Sequence, residues 1–133
     1  MKCQFVRPDK LLFEGEVHHL VLVAESGEIG VWPGHAPEIC ALGNGVVRLT
    51  LPDADGGDVV NIIVMGGYAE VQADAVIVLA DHARREDDIE PDVVELTKAK
   101  AVAARDVYPA GDHRRAYYDE KIAWCDLLLS HCD

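Results

Sequence analysis

The stretch Val59–Ala80 reads VVNIIVMGGYAEVQADAVIVLA, and the Val and Ile residues that dominate it favour extended strands. Its two apolar runs, 59–65 and 76–80, are largely apolar on both faces of a strand, with the pair Gly66-Gly67 after the first run. One face of each strand can fill the interior of a sandwich. The other face must also be covered, either by the C-terminal part of the chain or by a partner.

Short apolar runs of the same kind fill residues 1 to about 82, separated by Gly, Pro and Asp. Many short strands at this spacing predict a mainly β fold, an antiparallel sandwich or barrel. The predicted strands are 3–7, 11–13, 17–24, 29–31, 38–42, 46–51, 59–65, 68–73 and 76–80, and residues 53–57 are predicted to form a hairpin loop.

From Pro91 onward the pattern changes to a helical one. Proline suits the first turn of a helix, and Pro109-Ala110-Gly111 indicates a stop and a turn. Asp112 is then predicted as the N-cap of a second helix. Two apolar stripes predict the faces that pack together: Leu96, Ala99, Ala103 and Val107 on the first helix, and Tyr118, Ile122, Cys125, Leu129 and Cys132 on the second, widened by Trp124 and Leu128.

These patterns predict a sandwich over 1–83, a charged linker over 84–90 and an antiparallel two-helix hairpin over 91–133. The Ala-rich stripe of the first helix buries little area, so we expect this hairpin to be able to open.

Composition excludes several classes of function. The chain has 133 residues, with 24 acidic against 12 basic side chains and a net charge of −12, which disfavours binding to nucleic acid or to an anionic lipid surface. No run of about 18 uncharged apolar residues predicts a transmembrane helix. The N-terminus has no apolar core of a secretory signal, so the sequence predicts an intracellular protein.

Catalytic and metal-binding motifs are also missing. The sequence contains no GxSxG, Walker A or GxGxxG motif, and Cys3, Cys40, Cys125 and Cys132 have no zinc-site spacing. His18 and His19, placed next to each other on a predicted strand, are expected to point to opposite faces. We therefore predict neither an enzyme nor a metal site.

One segment, GEIGVWPGHAP over residues 27–37, predicts a stiff loop. Pro33-Gly34 fits the two central positions of a type II turn, and Pro37 restricts the residue before it to extended geometry. The loop presents Trp32 and His35, with Glu28 nearby. A rigid loop with an exposed aromatic side chain is more typical of a docking element than of a catalytic one.

This segment resembles the GE[IL]G-x-x-PGHAP segment of the epsilon subunit of F-type ATP synthases. Two further segments, GGYAEV at 66–71 and VIVLAD at 76–81, are similar to the GG[FIY]-x-EV and VTVLAD segments of that family, in the same order and spacing. The resemblance implies a β-sandwich of about ten strands, followed by a two-helix C-terminal domain.

The resemblance also implies a function without an active site, in the central stalk of the synthase on the cytoplasmic face of the cell membrane. The partners it implies are the gamma subunit and the ring of c subunits, and the task is to couple ion flow to ATP synthesis. The implied ring-docking residues are Glu28, Gly30, Trp32, Pro33, Gly34, His35, Ala36 and Pro37, and those of the gamma side and its turn are Gly66, Gly67, Tyr68 and Glu70. Gly30 and Gly34 are expected to permit tight turns. Glu38 departs from the family, in which an apolar residue commonly follows the PGHAP proline.

For the helices, the family implies inhibition of ATP hydrolysis through cationic side chains that meet the catalytic subunits. Some bacterial members bind ATP through an [IL]DxxRA motif. Here Glu95 and Lys98 replace its Asp and Arg. Lysine lacks the planar guanidinium group that can donate two hydrogen bonds to one phosphate. No cofactor is therefore expected, with ATP at this position as the alternative. The residues for either role are Glu95, Lys98, Lys100, Arg105, Arg114, Arg115 and Lys121, and an ordinary solvated helix face is the other interpretation. A free-standing sandwich that binds some other protein remains the alternative function.

Overall fold

The computed structural model describes residues 1–53 and 56–132. It contains two compact units, Met1–Asp87 and a second that begins at Asp88. Residues 54 and 55 of the predicted hairpin loop lie outside the described part.

The first unit is built from eight described strands. They are β1 (Lys2–Arg7), β2 (Lys10–Glu16), β3 (His19–Ala24), β4 (Gly27–Val31), β5 (Glu38–Ala41), β6 (Asn44–Thr50), β7 (Val59–Val71) and β8 (Ala75–Arg85). Their hydrogen-bonded order is β2-β1-β8-β7-β6-β3-β4, with β5 also paired to β7. Every pairing is antiparallel except that of β1 with β8, which is parallel.

The two longest strands belong to both layers of a sandwich. The first half of β7 pairs with β6, and its second half pairs with β5. The first half of β8 pairs with β1. The register therefore defines one layer of β2, β1, β8, β7 and β5, which we call the front layer, and a back layer of β8, β7, β6, β3 and β4. Since β7 and β8 each contribute to both, eight strands supply ten strand segments, the number that the family resemblance implies.

One hydrophobic cluster joins the two layers. Phe5, Val78 and Val71 from the front layer belong to the same buried cluster as Leu22 and Leu49 from the back layer. This shared core is what makes the sheet a sandwich, and it confirms the predicted mainly β class.

Gly66 and Gly67 are the point at which β7 passes from one layer to the other. The sequence predicts that they separate two strands, and this prediction is wrong. They lie inside one continuous strand with φ values of +74° and +118°. Before them the core-facing residues of β7 are Ile62 and Val64, and after them Ala69. The core-facing residues of β7 thus change from even to odd numbers, although the register of β7 against β8 does not shift. The two glycines therefore rotate the strand about its own axis.

The prediction that both faces of β7 and β8 are covered is correct for only part of these two strands. In the back layer Ile63, on the face away from the core cluster, is fully buried. In the front layer Tyr68 and Leu79 are exposed large hydrophobic residues. The front layer therefore presents apolar side chains to solvent.

The second unit is a pair of helices, α1 (Pro91–Arg105) and α2 (Arg115–Ser130). Pro91 stands in the first turn of α1, as predicted. The predicted packing face of α2 is also confirmed, because all five of its residues are buried or half-buried, and Trp124 and Leu128 widen it.

The predicted packing face of α1 is wrong. Leu96, Ala99, Ala103 and Val107 are exposed. The face toward α2 instead carries the buried residues Val94 and Ala101 and the cations Lys98 and Arg105, which form ion pairs with residues of α2. The face of α1 that packs is thus the one on which buried apolar residues and the cations that meet carboxylates of α2 occur together.

Two predicted boundaries also differ. Arg84 and Arg85, placed in the linker, complete β8 by pairing with Ile63 and Ile62, and a short 3₁₀ turn follows at Glu86–Asp88. Asp112 is not the N-cap of α2, because that position is held by Arg114. The Asp112 carboxylate still accepts the Arg114 backbone N–H at 2.9 Å. Neither helix within residues 1–53 and 56–132 has the length and apolar character needed to cross a membrane.

Candidate docking surfaces

The loop after β4 adopts the predicted type II turn. The N–H of His35 donates to the carbonyl oxygen of Trp32 at 3.1 Å, and Gly34 at the second central position has φ +88°. The Gly34 N–H donates to the carbonyl oxygen of Ala73 at 2.7 Å, which attaches the turn to the connection between β7 and β8. The Pro33-Gly34 turn and the hydrogen bond to Ala73 thus both fix the shape of this loop.

Trp32 is half-exposed beside this turn, and its ring lies against two neighbours. A Cβ added to Gly30 would come within 2.5 Å of Cζ3 of the indole, and the ring of His19 stacks on the indole with centroids 4.6 Å apart. Gly30 lies within β4, and its φ is outside the left-handed region. The expected role of Gly30 in a tight turn is therefore wrong, since its missing side chain leaves space for Trp32.

The prediction that His18 and His19 point to opposite faces is wrong, because their Nδ1 atoms lie 2.8 Å apart. The strand β3 begins at His19, so His18 lies in the bend before it. The alternation of side chains holds only within a strand.

The polar residues of the loop form two separate contacts, of which the first is an ion pair. The Glu28 carboxylate accepts a hydrogen bond from Arg48 Nη1 at 2.8 Å. The His35 ring donates from Nδ1 to the carbonyl oxygen of Ala36 at 2.7 Å, and its Nε2 lies 3.5 Å from Glu38 Oε1. Glu38, the residue that departs from the family pattern, thus faces His35. Glu28, Arg48 and Glu38 are exposed and His35 is half-buried, so a partner can still reach both contacts.

The front layer carries an exposed apolar row on its outer face. Adjacent residues are cross-strand partners on β5, β7, β8, β1 and β2 in turn. At about 4.8 Å per strand, the row is about 19 Å long. It consists of Ala41, Tyr68, Leu79, Val6 and Leu11, and we refer to these five residues as the apolar row.

The predicted gamma-side residues divide between this row and the bend beside it. Tyr68 stands in the row, and Glu70 is exposed on the same face one pair further along β7. Gly66 and Gly67 lie at the bend itself, where a Cβ on Gly67 would meet the backbone of Leu79 and Ala80. The two glycines therefore shape the surface, and Tyr68 and Glu70 present exposed side chains on it.

Most of the predicted regulatory cations already have partners inside the helical unit. Lys98 Nζ lies 2.6 Å from Asp126 Oδ1, and Arg105 Nη1 lies 3.2 Å from Asp119 Oδ1. Both contacts raise the pKa of the cationic side chain, chiefly through its hydrogen bond to the aspartate. Both pairs connect α1 to α2.

Two further arginines hold the connection between the helices. Arg115 Nη1 donates to the carbonyl oxygens of Tyr108 at 2.7 Å and Arg105 at 3.2 Å, and Arg114 donates to Asp112 through two nitrogens. Glu95 and Lys121 are exposed. Of the predicted set, these two and Lys100 have side chains that point to solvent.

The sandwich matches a family described as "ATP synthase, Delta/Epsilon chain, beta-sandwich domain" over residues 1–86. The chain belongs to the ATP synthase delta/epsilon family. The resemblance of its three sequence motifs to this family is thereby confirmed.

Curated relatives within this family are named as epsilon chains. The ATP synthase epsilon chain 2 of Burkholderia orbicola is 38% identical over 120 residues, covering 88% of this chain and 75% of the relative. The ATP synthase epsilon chain of Dichelobacter nodosus is 42% identical over 96 residues, covering 72% of this chain and 65% of the relative.

A solved structure supports the fold of this member of the delta/epsilon family. A chain in the cryo-EM structure of the Euglena gracilis mitochondrial ATP synthase, containing OSCP, F1 and the c ring, matches with a TM-score of 0.69. The match has 20% sequence identity and covers 96% of this chain and 78% of that one. At this identity the match establishes the shared architecture.

Three features of these surfaces were missed by reasoning from the sequence. Leu11 and Leu79 were assigned to strands, but only the pairing of β1 with both β2 and β8 places them in one row with Tyr68. Arg48 was not connected with Glu28, and His19 was not connected with Trp32. The apolar outer face of 76–80 was the one signal that could have indicated Leu79.

Proposed function

We propose that this chain is a non-catalytic subunit of the central stalk of an F-type ATP synthase, at the cytoplasmic face of the membrane. In this role it joins the gamma subunit to the c ring and helps to couple ion flow to ATP synthesis. The observation that carries the proposal is the apolar row on a sandwich of the delta/epsilon family, because such a row requires a partner.

The apolar row is proposed as the contact with the gamma subunit. Tyr68 and Leu79 are direct cross-strand partners at its centre, and both are more than half exposed. A neighbouring row adds Ile39, which is also exposed, beside the charged Glu70. An apolar centre with a polar edge is the usual composition of a stable protein interface, and tyrosine is enriched among its strongest contacts.

The loop at Glu28–Pro37 is proposed as the contact with polar loops of the c ring. Its turn is held by two backbone hydrogen bonds, at 3.1 Å and 2.7 Å, so little ordering entropy is lost when it binds. It presents a half-exposed indole, the exposed ion pair Glu28–Arg48, and the exposed carboxylate of Glu38 beside His35. Exposed charges of this kind contribute to orientation and specificity.

The helical unit is proposed to regulate hydrolysis, with Lys100 and Lys121 as the cations available to the catalytic alpha and beta subunits. Lys98 and Arg105 instead hold α1 to α2 through Asp126 and Asp119. At the position considered for ATP, the Lys98 ammonium is bound to the Asp126 carboxylate, which competes with a phosphate for it. We therefore propose no cofactor.

A matched pair of substitutions tests the gamma contact. Leu79 is 54% exposed in the apolar row, and Val59 is 52% exposed at the start of β7 in the back layer. We expect Leu79→Glu to weaken binding to a co-expressed gamma subunit about tenfold or more, since it places an unpaired charge in an apolar contact. Val59→Glu should leave binding unchanged. Affinity is measured with the purified proteins by calorimetry, and thermal unfolding is followed for both variants.

Equal weakening by the two substitutions would contradict a role specific to the row. Failure of the unmodified chain to bind gamma or the c ring at all would contradict the stalk function itself. It would then favour a sandwich that serves another partner.

A further inference from the structure

One hollow lies beside the apolar row, where β1 ends next to β8. It has a volume of about 240 Å³, and its apolar walls are Val6, Pro8, Leu79 and Ala80. The exposed carboxylate of Asp81, two residues after Leu79 on β8, also lines this hollow. Arg7 is the cation at its rim, but the guanidinium is bonded to Asp9 at 2.9 Å and to the carbonyl oxygen of Ala83 at 2.9 Å. We call this space the Asp81 hollow.

A second hollow lies on the other side of the row, at the pairing of β5 with β7. It has a volume of about 370 Å³, and its apolar walls are Pro37, Ile39 and Val71. Glu70 lines this hollow and accepts a hydrogen bond from Gln72 Nε2 at 3.1 Å. Glu38, also at its rim, lies 3.5 Å from the ring of His35. We call this space the Glu70 hollow.

Glu70 and Asp81 have no cationic partner within residues 1–53 and 56–132. Elsewhere on the sandwich, Glu28 is paired with Arg48 at 2.8 Å. Water satisfies the two carboxylates while the face is open. A partner that covers the apolar row removes this water, and a carboxylate buried without a cation is costly.

The two carboxylates lie on opposite sides of the centre of the row. Glu70 pairs with Ile77 across the sheet, and Tyr68 pairs with Leu79 in the centre. Asp81 lies four residues beyond Ile77 on β8, which is about 13 Å along the strand. A partner surface that covers Tyr68 and Leu79 therefore also reaches both hollows.

The composition of each hollow fits a lysine or arginine side chain. The aliphatic stem of such a side chain packs on apolar walls, while its charged head group reaches a carboxylate. An aliphatic or aromatic side chain would fill the same space but leave the carboxylate unpaired. An acidic side chain would be repelled.

We propose that the partner of the apolar row presents an apolar group to Tyr68 and Leu79, flanked by two basic side chains that enter the hollows and pair with Glu70 and Asp81. The two cations must be about 13 Å apart, which corresponds to positions i and i+4 of a strand or to roughly nine residues of a helix. This inference rests on the proposed function, which identifies the partner as the gamma subunit, and it adds the chemistry of the gamma surface.

Binding kinetics of the full chain with purified gamma subunit test the pairing. Glu70→Gln combined with Asp81→Asn removes both charges and changes the side-chain volumes little. We expect dissociation to become about tenfold faster, because the cations of gamma are left covered and unpaired. Association should also slow about tenfold at about 50 mM salt, and this difference should vanish at about 0.5 M salt, where attraction at a distance is screened.

Asp58→Asn combined with Glu86→Gln is the matched control. Both residues are exposed next to back-layer segments, and the change in net charge is the same. This variant should change the dissociation rate less than about twofold, since its charges form no contact with gamma. Thermal unfolding is followed for both double variants. The single substitutions Glu70→Gln and Asp81→Asn should each accelerate dissociation by a smaller factor, and they provide the test if the double variant does not fold.

The inference is overturned if removal of Glu70 and Asp81 changes dissociation no more than the control does, or if it slows association alone. In the second case the carboxylates attract gamma but do not pair with it. If Leu79→Glu weakens binding while the dissociation rate of the double variant is unchanged, the inference fails and the proposed function stands. If the unmodified chain does not bind gamma, both fail.

Discussion

Two separate constraints disfavour a Cβ atom at Gly67. Its φ of +118° is unfavourable for residues with a side chain, and an added Cβ would lie 2.7 Å from Cα of Ala80, which is backbone and cannot turn away. Gly34 has a similar φ of +88° but no atom within 4 Å of an added Cβ. The two positions therefore separate backbone strain from steric collision.

We expect Gly67→Ala to destabilise the sandwich by about 3 kcal/mol or more, because strain and collision combine where β7 bends between the layers. Gly34→Ala should cost about 1 kcal/mol, since only strain is present. Denaturant unfolding of each variant measures the difference. Similar losses for the two would mean that β7 adjusts to admit the methyl group.

The short connection between α1 and α2 is held by hydrogen bonds between side chains and backbone groups. Asp112 accepts both the backbone N–H and the guanidinium of Arg114, which in turn lies over the ring of Tyr108 at 4.3 Å from its centroid. Arg115 donates to the carbonyl oxygen of Arg105, the last residue of α1, and to that of Tyr108 in the connection. A connection without a regular cap at either helix thus obtains its hydrogen bonds from Asp112 and two arginines.

The pKa of the Asp112 carboxyl provides a test of this arrangement. The Arg114 side chain first, and then its backbone N–H, hold that pKa below its usual value. A carboxyl with a lowered pKa in the folded state stabilises the fold at higher pH, and this contribution is lost as the pH falls through the folded value. We expect Arg114→Ala to raise the Asp112 pKa, measured by carbon NMR of the carboxyl group.

Arg115→Ala is the control, because Arg115 lowers the pKa of Asp112 only through a weaker electrostatic effect. It should produce a smaller upward change. If Arg115→Ala raised the Asp112 pKa as much as Arg114→Ala does, the hydrogen bonds of Arg114 would not be the main cause.

At the scale of the whole molecule, each unit has buried residues of its own. Among the described residues, the core cluster of the sandwich extends from Cys3 to Ala83, and the buried residues of the helical unit include Val94, Ala101 and Leu128. The helices are in turn held to each other by the ion pairs of Lys98 and Arg105 and by a small apolar interface. Exposed ion pairs each contribute only about 0.2–1 kcal/mol. Opening of the hairpin stays a prediction.

Removal of residues from Pro91 onward should therefore leave a cooperatively folding sandwich, as judged by circular dichroism during thermal unfolding. In the assembled synthase the same truncation should raise ATP hydrolysis, because the proposed inhibitory cations are lost with the helices. A double substitution of Lys100 and Lys121 to Glu in the full chain should raise it as well. Unchanged hydrolysis in both cases would contradict the regulatory function while leaving the coupling function intact.

The sequence by itself determined the features that depend on neighbours along the chain. The β character of residues 59–80, the type II turn at Pro33-Gly34 and the helix start at Pro91 follow from local sterics and apolar spacing. The family motifs belong to the same category, since they are continuous segments. These features identified the loop at Glu28–Pro37, which is one of the two candidate docking surfaces.

Only the tertiary structure decided which distant residues share a surface. The apolar row requires five strands in register, and the pairing of β1 with β8 joins residues more than 70 positions apart. The contact of His18 with His19 depends on where β3 begins, and the packing face of α1 depends on carboxylates of α2. In each case pairing or burial against residues distant in the chain selects the arrangement, and the local sequence does not contain that information.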